Sequence, residues 1–206
     1  MSSLSSSAHG CDYVIKLLTL GDTSVGKTSI LLQYTQGYFP KKALSTIGVD
    51  FRTKYVNLPN GKRVKVLLWD TAGQERFRNI ADNYYNGSDC VLFVFDITSK
   101  SSFEMLSFWM ERLKAKRSLD DIVMILVGNK KDLFLQRTVQ LKHIQEMQKE
   151  IQIKYFEVSA LKNEGLDELF DEIIQDTITL VQKREIKKRE EFELNKKNKK
   201  KTNICC

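Results

Sequence analysis

Apolar and polar positions along this chain of 206 residues follow two alternating patterns. Short apolar runs, which are typical of buried strands, are separated by longer stretches in which apolar residues recur every three or four positions, as on one face of a helix. Six strands are predicted. The first begins the stretch 14–31, and the other five lie at 49–58, 64–69, 90–95, 122–127 and 155–158. Five helices are predicted, at 27–36, 76–86, 102–117 and 140–150 and from about residue 165 onward.

The order of these elements predicts the fold class. The strands 49–58 and 64–69 flank Pro59, Asn60 and Gly61, and an Asn-Gly pair between two β-rich runs indicates an antiparallel hairpin. Beyond the hairpin, strands and helices alternate, which is typical of parallel strands with helices on both faces. We therefore predict an α/β fold with a doubly wound, mostly parallel six-stranded sheet, one antiparallel hairpin strand and about five helices.

The stretch 14–31 predicts a strand, a tight loop and a helix, and its loop matches the pattern Gly-x-x-x-x-Gly-Lys-Ser/Thr. Gly21 and Gly26 let successive backbone N–H groups point at phosphate oxygens, to which the helix adds its own N–H groups and its dipole. Lys27 can then reach the β- and γ-phosphates, and the Thr28 hydroxyl can bind a bridging Mg²⁺. The predicted nucleotide-binding residues of this loop are Gly21, Asp22, Thr23, Ser24, Val25, Gly26, Lys27, Thr28 and Ser29. An ordinary glycine turn is the alternative interpretation.

A second motif, Asp70 to Glu75, follows the strand 64–69. In a sheet of this class, ligands bind at the carboxyl ends of the strands. There Asp70 can steady Mg²⁺ through water, the Gly73 N–H can approach a γ-phosphate, and Gln74 can orient the attacking water. A strand cap followed by a turn is the alternative interpretation, and it would be as plausible as the functional one if no phosphate loop were nearby.

A third motif, Asn129-Lys130-Lys131-Asp132, follows the strand 122–127. The Asp132 carboxylate can accept hydrogen bonds from N1–H and N2–H₂ of guanine, and since adenine has neither donor, such a site can discriminate by about 10⁴ to 10⁵. The segment Ser159, Ala160 and Leu161 follows the last strand, and one of its backbone N–H groups could bind guanine O6. A polar loop is the alternative interpretation of the third motif, and Ser159 to Leu161 would indicate no function without the other motifs.

Composition predicts one domain with a basic tail. The formal net charge is +7, but residues 183–202 contain ten Lys or Arg and four Glu, so the rest of the chain is nearly neutral. We predict a disordered segment at 1–11, a nucleotide-binding domain at 12–182 and a basic, flexible tail at 183–206. RNA binding by this tail is an alternative, but its few aromatic residues and the neutral domain favour no nucleic acid partner.

Other sequence features concern the compartment. The N-terminal segment has neither the charged nor the apolar region of a secretory signal, and no run approaches 18 apolar residues. Residue 2 is Ser, so we expect no N-myristoylation. Cys11, Cys90, Cys205 and Cys206 lack metal or disulfide spacing, and Cys90 opens an apolar run that predicts a buried thiol in a reducing compartment.

Together, the motifs resemble the Ras superfamily of small GTPases over about residues 13–182. The shared residues are Gly21 to Thr28, Thr46, Asp70 to Gln74, Asn129 to Asp132 and Ser159-Ala160. The chain looks most similar to the Rab branch through Ile47 to Phe51, Leu68 to Phe77, Tyr84 to Gly87, Phe95 to Thr98 and the terminal Cys205-Cys206.

The resemblance implies a P-loop GTPase of the small G-protein type, which alternates between GTP and GDP, uses Mg²⁺ and regulates vesicle traffic. It implies Mg²⁺ ligation by Thr28, Thr46 and Asp70, packing of Phe39 against guanine, and two switch segments at about 39–51 and 70–85. Phe51, Trp69 and Tyr84 match the aromatic residues that face effectors. Four positions depart from the family pattern, namely Ala43, Asn86, Ser88 and Leu161.

The resemblance also implies partners and a location. Cys205 and Cys206 would receive two geranylgeranyl groups, and lysines before them would favour an anionic leaflet. Expected partners are effectors, an exchange factor, a GTPase-activating protein, a GDP-dissociation inhibitor, the prenylation machinery and the cytoplasmic surface of endomembranes or the plasma membrane, with a cytosolic pool. A nucleotide-loaded adaptor that barely cycles is one alternative, and an ATP-using P-loop kinase is another.

Overall fold

The computed structural model describes residues 10–40, 46, 48–73 and 84–202, with side chains described as far as residue 192. Within these residues, six strands form one sheet in the order β2-β3-β1-β4-β5-β6. The strands are β1 (Tyr13–Leu20), β2 (Val49–Asn57), β3 (Arg63–Thr71), β4 (Cys90–Asp96), β5 (Val123–Asn129) and β6 (Lys154–Glu157). Only the pair β2/β3 is antiparallel, and the other neighbours are parallel. The predicted fold class is confirmed.

Burial along each strand follows its place in the sheet. Every residue of the central strand β4 is buried, including Cys90 as predicted. The edge strand β2 instead alternates between exposed and half-buried positions, because within the described residues no layer covers one of its faces. At the hairpin, the Gly61 N–H donates to the Leu58 carbonyl at 3.0 Å, and Gly61 has a φ of +79°.

Five α-helices lie in the described part of the chain, at α1 (Lys27–Gln36), α2 (Lys100–Glu104), α3 (Leu106–Lys116), α4 (Leu141–Ile151) and α5 (Leu166–Thr202). The helix α1 has the predicted bounds, because Gly26 and Gly37 adopt left-handed conformations at its two ends. One helix was predicted over 102–117, whereas the structure divides this stretch at Met105 and begins it at the Ser99 cap. The predicted helix 76–86 falls mostly outside the described residues.

Two apolar cores cover the two faces of the sheet. Residues of β1 contribute to both cores, because side chains alternate between the two faces of a strand. Ile15 and Leu17 belong to the first core, and Leu18 and Leu20 to the second. The first core packs against α1 and α5, and the second against α2, α3 and α4. This three-layer arrangement leaves the carboxyl ends of the parallel strands at one edge of the sheet, where the loops that follow them meet.

At both ends of the domain, more of the chain is ordered than the sequence predicted. The last helix was expected to fade from Lys183, but its backbone remains helical to Thr202. Arg184 anchors its middle through a salt bridge to Asp89 at 3.0 Å. Cys11 was placed in the disordered segment, yet its side chain is buried, because the chain already pairs with β3 through Asp12.

Among the described residues, no helix is long and apolar enough to cross a bilayer.

Candidate nucleotide-binding site

The loop between β1 and α1 is closely surrounded by neighbouring groups. A Cβ atom on Gly21 would lie 2.1 Å from the Val94 carbonyl oxygen, and one on Gly26 would lie 2.2 Å from the Asn129 Nδ2. Both glycines also have positive φ, at +148° and +98°. Larger residues would therefore displace the backbone of the loop.

Lys27 lies beneath this loop and is only 5% exposed. Its Nζ donates to the carbonyl oxygens of Gly21 at 2.9 Å and Asp22 at 2.7 Å. Burial lowers its pKa from 10.5 to about 8, while the carboxylates of Asp70 and Asp22 oppose that decrease. Negatively charged phosphate oxygens beside the buried ammonium group would stabilise its charged form and so raise its pKa again.

Three oxygen-bearing side chains converge beside Lys27. The hydroxyls of Thr28 and Thr46 are 2.8 Å apart. Asp70, at the end of β3, is fully buried, and neither of its carboxylate oxygens has a well-aligned hydrogen-bond partner in the described part of the chain. Burial raises the pKa of Asp70, against the opposing effects of the nearby Thr28 hydroxyl and Lys27 ammonium.

These three residues fit a magnesium ion. Mg²⁺ takes oxygen ligands and is commonly bound by one or two carboxylates together with phosphates and water. A buried carboxylate without a good donor is costly, and a nearby cation would compensate it. The described residues contain no cluster of three or more His, Cys, Asp or Glu, so the remaining ligands would have to come from hydroxyls, water and the nucleotide.

The segment after β3 also touches the phosphate loop. A Cβ on Gly73 would lie 2.4 Å from the backbone of Asp22 and Thr23, so only glycine permits this close approach. Thr71 Oγ1 further ties β3 to β1 through the Thr19 carbonyl at 2.5 Å. Gln74, the predicted catalytic residue, lies outside the described residues, and its role stays a prediction.

Asn129 connects two loops that are far apart in sequence. Its buried amide donates from Nδ2 to the Val25 carbonyl at 2.8 Å and accepts at Oδ1 from the Ala160 N–H at 3.2 Å. It therefore fastens the phosphate loop to the loop after β6. The sequence predicted a nucleotide contact for Asn129 and did not reveal this bridging contact.

Asp132 joins the same cluster. The Ser159 hydroxyl donates to Asp132 Oδ1, and Ser159 Oγ in turn accepts from the Lys162 N–H at 3.1 Å.

Two further predicted residues lie near this cluster or α1. Leu161, between Ser159 and Lys162 in the sequence, is 52% exposed. Phe39, beyond the end of α1, is half-buried against the first core. The structure thus brings together the predicted residues that follow β1, β3, β5 and β6.

Comparison with known proteins agrees with this geometry. The model of the Ras family matches residues 16–179. Ras-related protein RabC of Dictyostelium discoideum is 41% identical over 80% of this chain and 84% of its own length. The chain belongs to the Ras family. Ras-related protein Rab-13 of Bos taurus is 37% identical over 96% of this chain and 98% of its own length, and GTP-binding protein ypt2 of Schizosaccharomyces pombe is 40% identical over 80% and 81%. The predicted Rab branch and GTPase activity are confirmed.

In this Ras-family chain, the three predicted aromatic side chains form one group. The ring centroids of Trp69 and Tyr84 are 5.0 Å apart, and those of Phe51 lie 6.2 Å and 5.7 Å from them. Phe51 is 56% exposed, although it is a large apolar residue. Of the departures from the family pattern, Ser88 is buried and Asn86 is exposed, while Ala43 lies outside the described residues.

Sequence reasoning missed one charged residue of the site. Asp96, the last residue of β4, binds Lys130 Nζ through Oδ2 at 2.6 Å. The rule that searches the carboxyl ends of parallel strands applies equally to β4 and would have found it. Asp96 lies within the Phe95 to Thr98 motif of the Rab branch, but no ligand or contact of its carboxylate was predicted from the sequence.

Proposed function

We propose that this Ras-family GTPase is a GTP/GDP switch that recruits effectors to a cytoplasmic membrane surface in vesicle transport. The observation that carries the proposal is that two separate segments meet at the phosphate loop. The first segment contacts Thr28 through the Thr46 hydroxyl. The second places Asp70 near the Thr28 hydroxyl and the Lys27 ammonium, and Gly73 against the backbone of Asp22 and Thr23. Segments that depend on the same phosphate and cation can change together when that phosphate is removed.

The proposed hydrolytic site assigns a task to each group. Lys27 and the loop N–H groups would bind the β- and γ-phosphates, and Gln74 would orient the attacking water. Thr28, Thr46 and Asp70 would hold Mg²⁺, which neutralises charge on the phosphates when bound. We expect slow intrinsic hydrolysis, accelerated about 10³ to 10⁵ fold by an activating protein that supplies an arginine. Activators of this branch can also supply a glutamine, in which case Gln74 would matter more for unassisted turnover.

The proposed guanine site lies at the loops after β5 and β6. Asp132 would accept two hydrogen bonds from the base, and the backbone after Ser159 would donate to its O6. The contact between Ser159 and Asp132 supports this assignment, because it orients the carboxylate beside that backbone. Phe39 would pack against the base, and Leu161 would contribute through its backbone.

The proposed membrane attachment depends on the end of the chain. Cys205 and Cys206 would carry two prenyl groups, since a single lipid chain gives only marginal anchoring. A GDP-dissociation inhibitor would shield these lipids in the cytosolic pool, and the basic tail would add attraction to anionic lipids. Effectors would bind the exposed Phe51 ring together with Trp69 and Tyr84 when GTP orders the switches.

Capture of partners from cell extract tests the switch. The Gln74→Leu variant should retain GTP, whereas Thr28→Asn should bind Mg²⁺–GTP poorly because it loses the hydroxyl ligand. We expect effectors on the first variant and an exchange factor on the second. Identical partner sets, with nucleotide content verified by chromatography, would instead favour a constitutive adaptor.

A further inference from the structure

Asp96 is a buried carboxylate whose two oxygens have different partners. Oδ1 accepts from the Thr98 backbone N–H at 2.8 Å and from the Thr98 hydroxyl at 2.7 Å. Oδ2 faces Lys130 Nζ at 2.6 Å, and the Asp96 side chain is only 9% exposed. Because Thr98 fixes the orientation of the carboxylate, Oδ2 is a rigid acceptor for the lysine.

Lys130 occupies an unfavourable backbone conformation between two residues of the proposed guanine site. Its φ of +66° lies in the left-handed region, which a residue with a side chain rarely adopts. On one side of it, Asn129 binds the phosphate loop, and on the other side, the Lys131 N–H donates to the Val158 carbonyl at 3.0 Å. The orientation of Lys130 is thus coupled to both loops around the nucleotide.

We propose that Asp96 is a positioning residue for the bound guanine nucleotide and acts through Lys130. The buried carboxylate holds the ammonium group and the strained turn in a single arrangement before the nucleotide arrives. The Lys130 side chain remains 34% exposed, and an ammonium has three donors, so pairing with Asp96 leaves capacity for the ligand. This inference rests on the proposed function, since it assumes that Asn129 and Asp132 frame the base.

Release of fluorescently labelled GDP, chased with excess unlabelled GDP, tests this role in the full chain. Asp96→Asn keeps an oxygen for Thr98 but loses the charge that pairs with Lys130. We expect release to accelerate roughly tenfold, because hydrogen bonds between charged groups are the stronger class. The matched control is Asp89→Asn, directly before the other end of β4, which breaks the salt bridge to Arg184 at 3.0 Å and should leave the release rate unchanged.

A double-mutant cycle separates positioning from a merely structural role. If Asp96 acts through Lys130, Asp96→Asn should change GDP release by less than about twofold in a Lys130→Met background. An unchanged or slower release by Asp96→Asn alone, or an equal acceleration in both backgrounds, would overturn the inference while leaving the proposed function intact. A parent protein that bound neither GDP nor GTP would overturn both.

Discussion

At the scale of single residues, Gly26 has a steric role that the sequence motif does not explain. A side chain there would meet the Asn129 amide, which bridges the phosphate loop and the loop after β6. We expect Gly26→Ala to weaken GDP binding roughly a hundredfold, because both hydrogen bonds of Asn129 would be disturbed. Equilibrium titration with labelled GDP measures this loss.

Gly37→Ala is the matched control, because Gly37 has a positive φ at the other end of α1 but open space around it. It should cost about 1 kcal/mol of stability and leave GDP affinity unchanged. Equal loss of affinity in both variants would mean that backbone strain, and not the contact with Asn129, is responsible.

The buried ammonium of Lys27 predicts a pH dependence of the nucleotide-free protein. Its pKa is lowered from 10.5 to about 8, so the native state gives up its proton at lower pH than the unfolded state does. Burial of the charge therefore destabilises the fold below pH 8, and this effect disappears as pH rises from about 8 to 10.5. The full shift corresponds to roughly 3 kcal/mol, in which the opposing effect of the Asp70 and Asp22 carboxylates is already included.

Urea unfolding of the nucleotide-free parent and of Lys27→Met, between pH 7 and pH 9.5, measures this effect. The parent should gain stability relative to the variant as pH increases. A difference in unfolding free energy that stays constant over this range would show that Lys27 does not titrate there.

Asp132 determines the predicted choice of base. Asp132→Asn can keep an oxygen for the Ser159 hydroxyl, but it replaces an acceptor by an amide donor on the side of the base. We expect guanine nucleotides to bind at least about a thousandfold more weakly, while xanthine nucleotides, which offer a carbonyl at that position, gain affinity. Competition between GDP and XDP measures the change, and unchanged guanine preference would contradict the assignment.

At the scale of elements, α1 and α5 are joined by a stacked aromatic pair. The rings of Tyr34 and Phe170 are 3.5 Å apart at an interplanar angle of 6°. We expect Phe170→Ala to lower the free energy of unfolding by about 3–5 kcal/mol, since it leaves a cavity in the first core. Measurements at saturating GDP remove differences in ligand occupancy. Tyr34→Phe, which keeps the ring, should cost less than about 1.5 kcal/mol. Equal losses would argue against removal of an aromatic ring from the core as the cause.

The sequence predicted some element boundaries better than others, for identifiable reasons. Glycines at both ends define α1, so its limits were correct. Helix α5 was expected to fade near Lys183 because its apolar periodicity ends there, but Lys, Arg and Glu favour helix even without an apolar face, and residues 183–202 contain neither Gly nor Pro. The break at Met105 had no such signal in sequence.

At the scale of the whole molecule, most of the net positive charge lies in the tail and not in the nucleotide-binding domain. Residues 196–201 contain five lysines, and each lysine near an anionic leaflet can contribute about 1 kcal/mol. If the protein is prenylated as proposed, we expect replacement of all five by Gln to weaken binding to phosphatidylserine-rich vesicles roughly a thousandfold at low salt. Cosedimentation measures this loss, which should shrink at high salt.

Two controls accompany the tail variant. Its GDP affinity and its binding to neutral vesicles should match those of the parent. An equal loss on neutral vesicles would indicate that prenylation had failed and that the lysines do not act through charge.

The sequence by itself determined the order of strands and helices, the hairpin, and the residues that belong to the nucleotide motifs, because periodicity, glycine positions and motif spacing are local properties. Only the tertiary structure decided that β1 lies between β3 and β4, that Asn129 binds Val25, 104 residues away, and that Asp96 pairs with Lys130. Such contacts depend on which strands become neighbours. That choice results from the joint packing of two cores against one sheet, which no short stretch of sequence specifies.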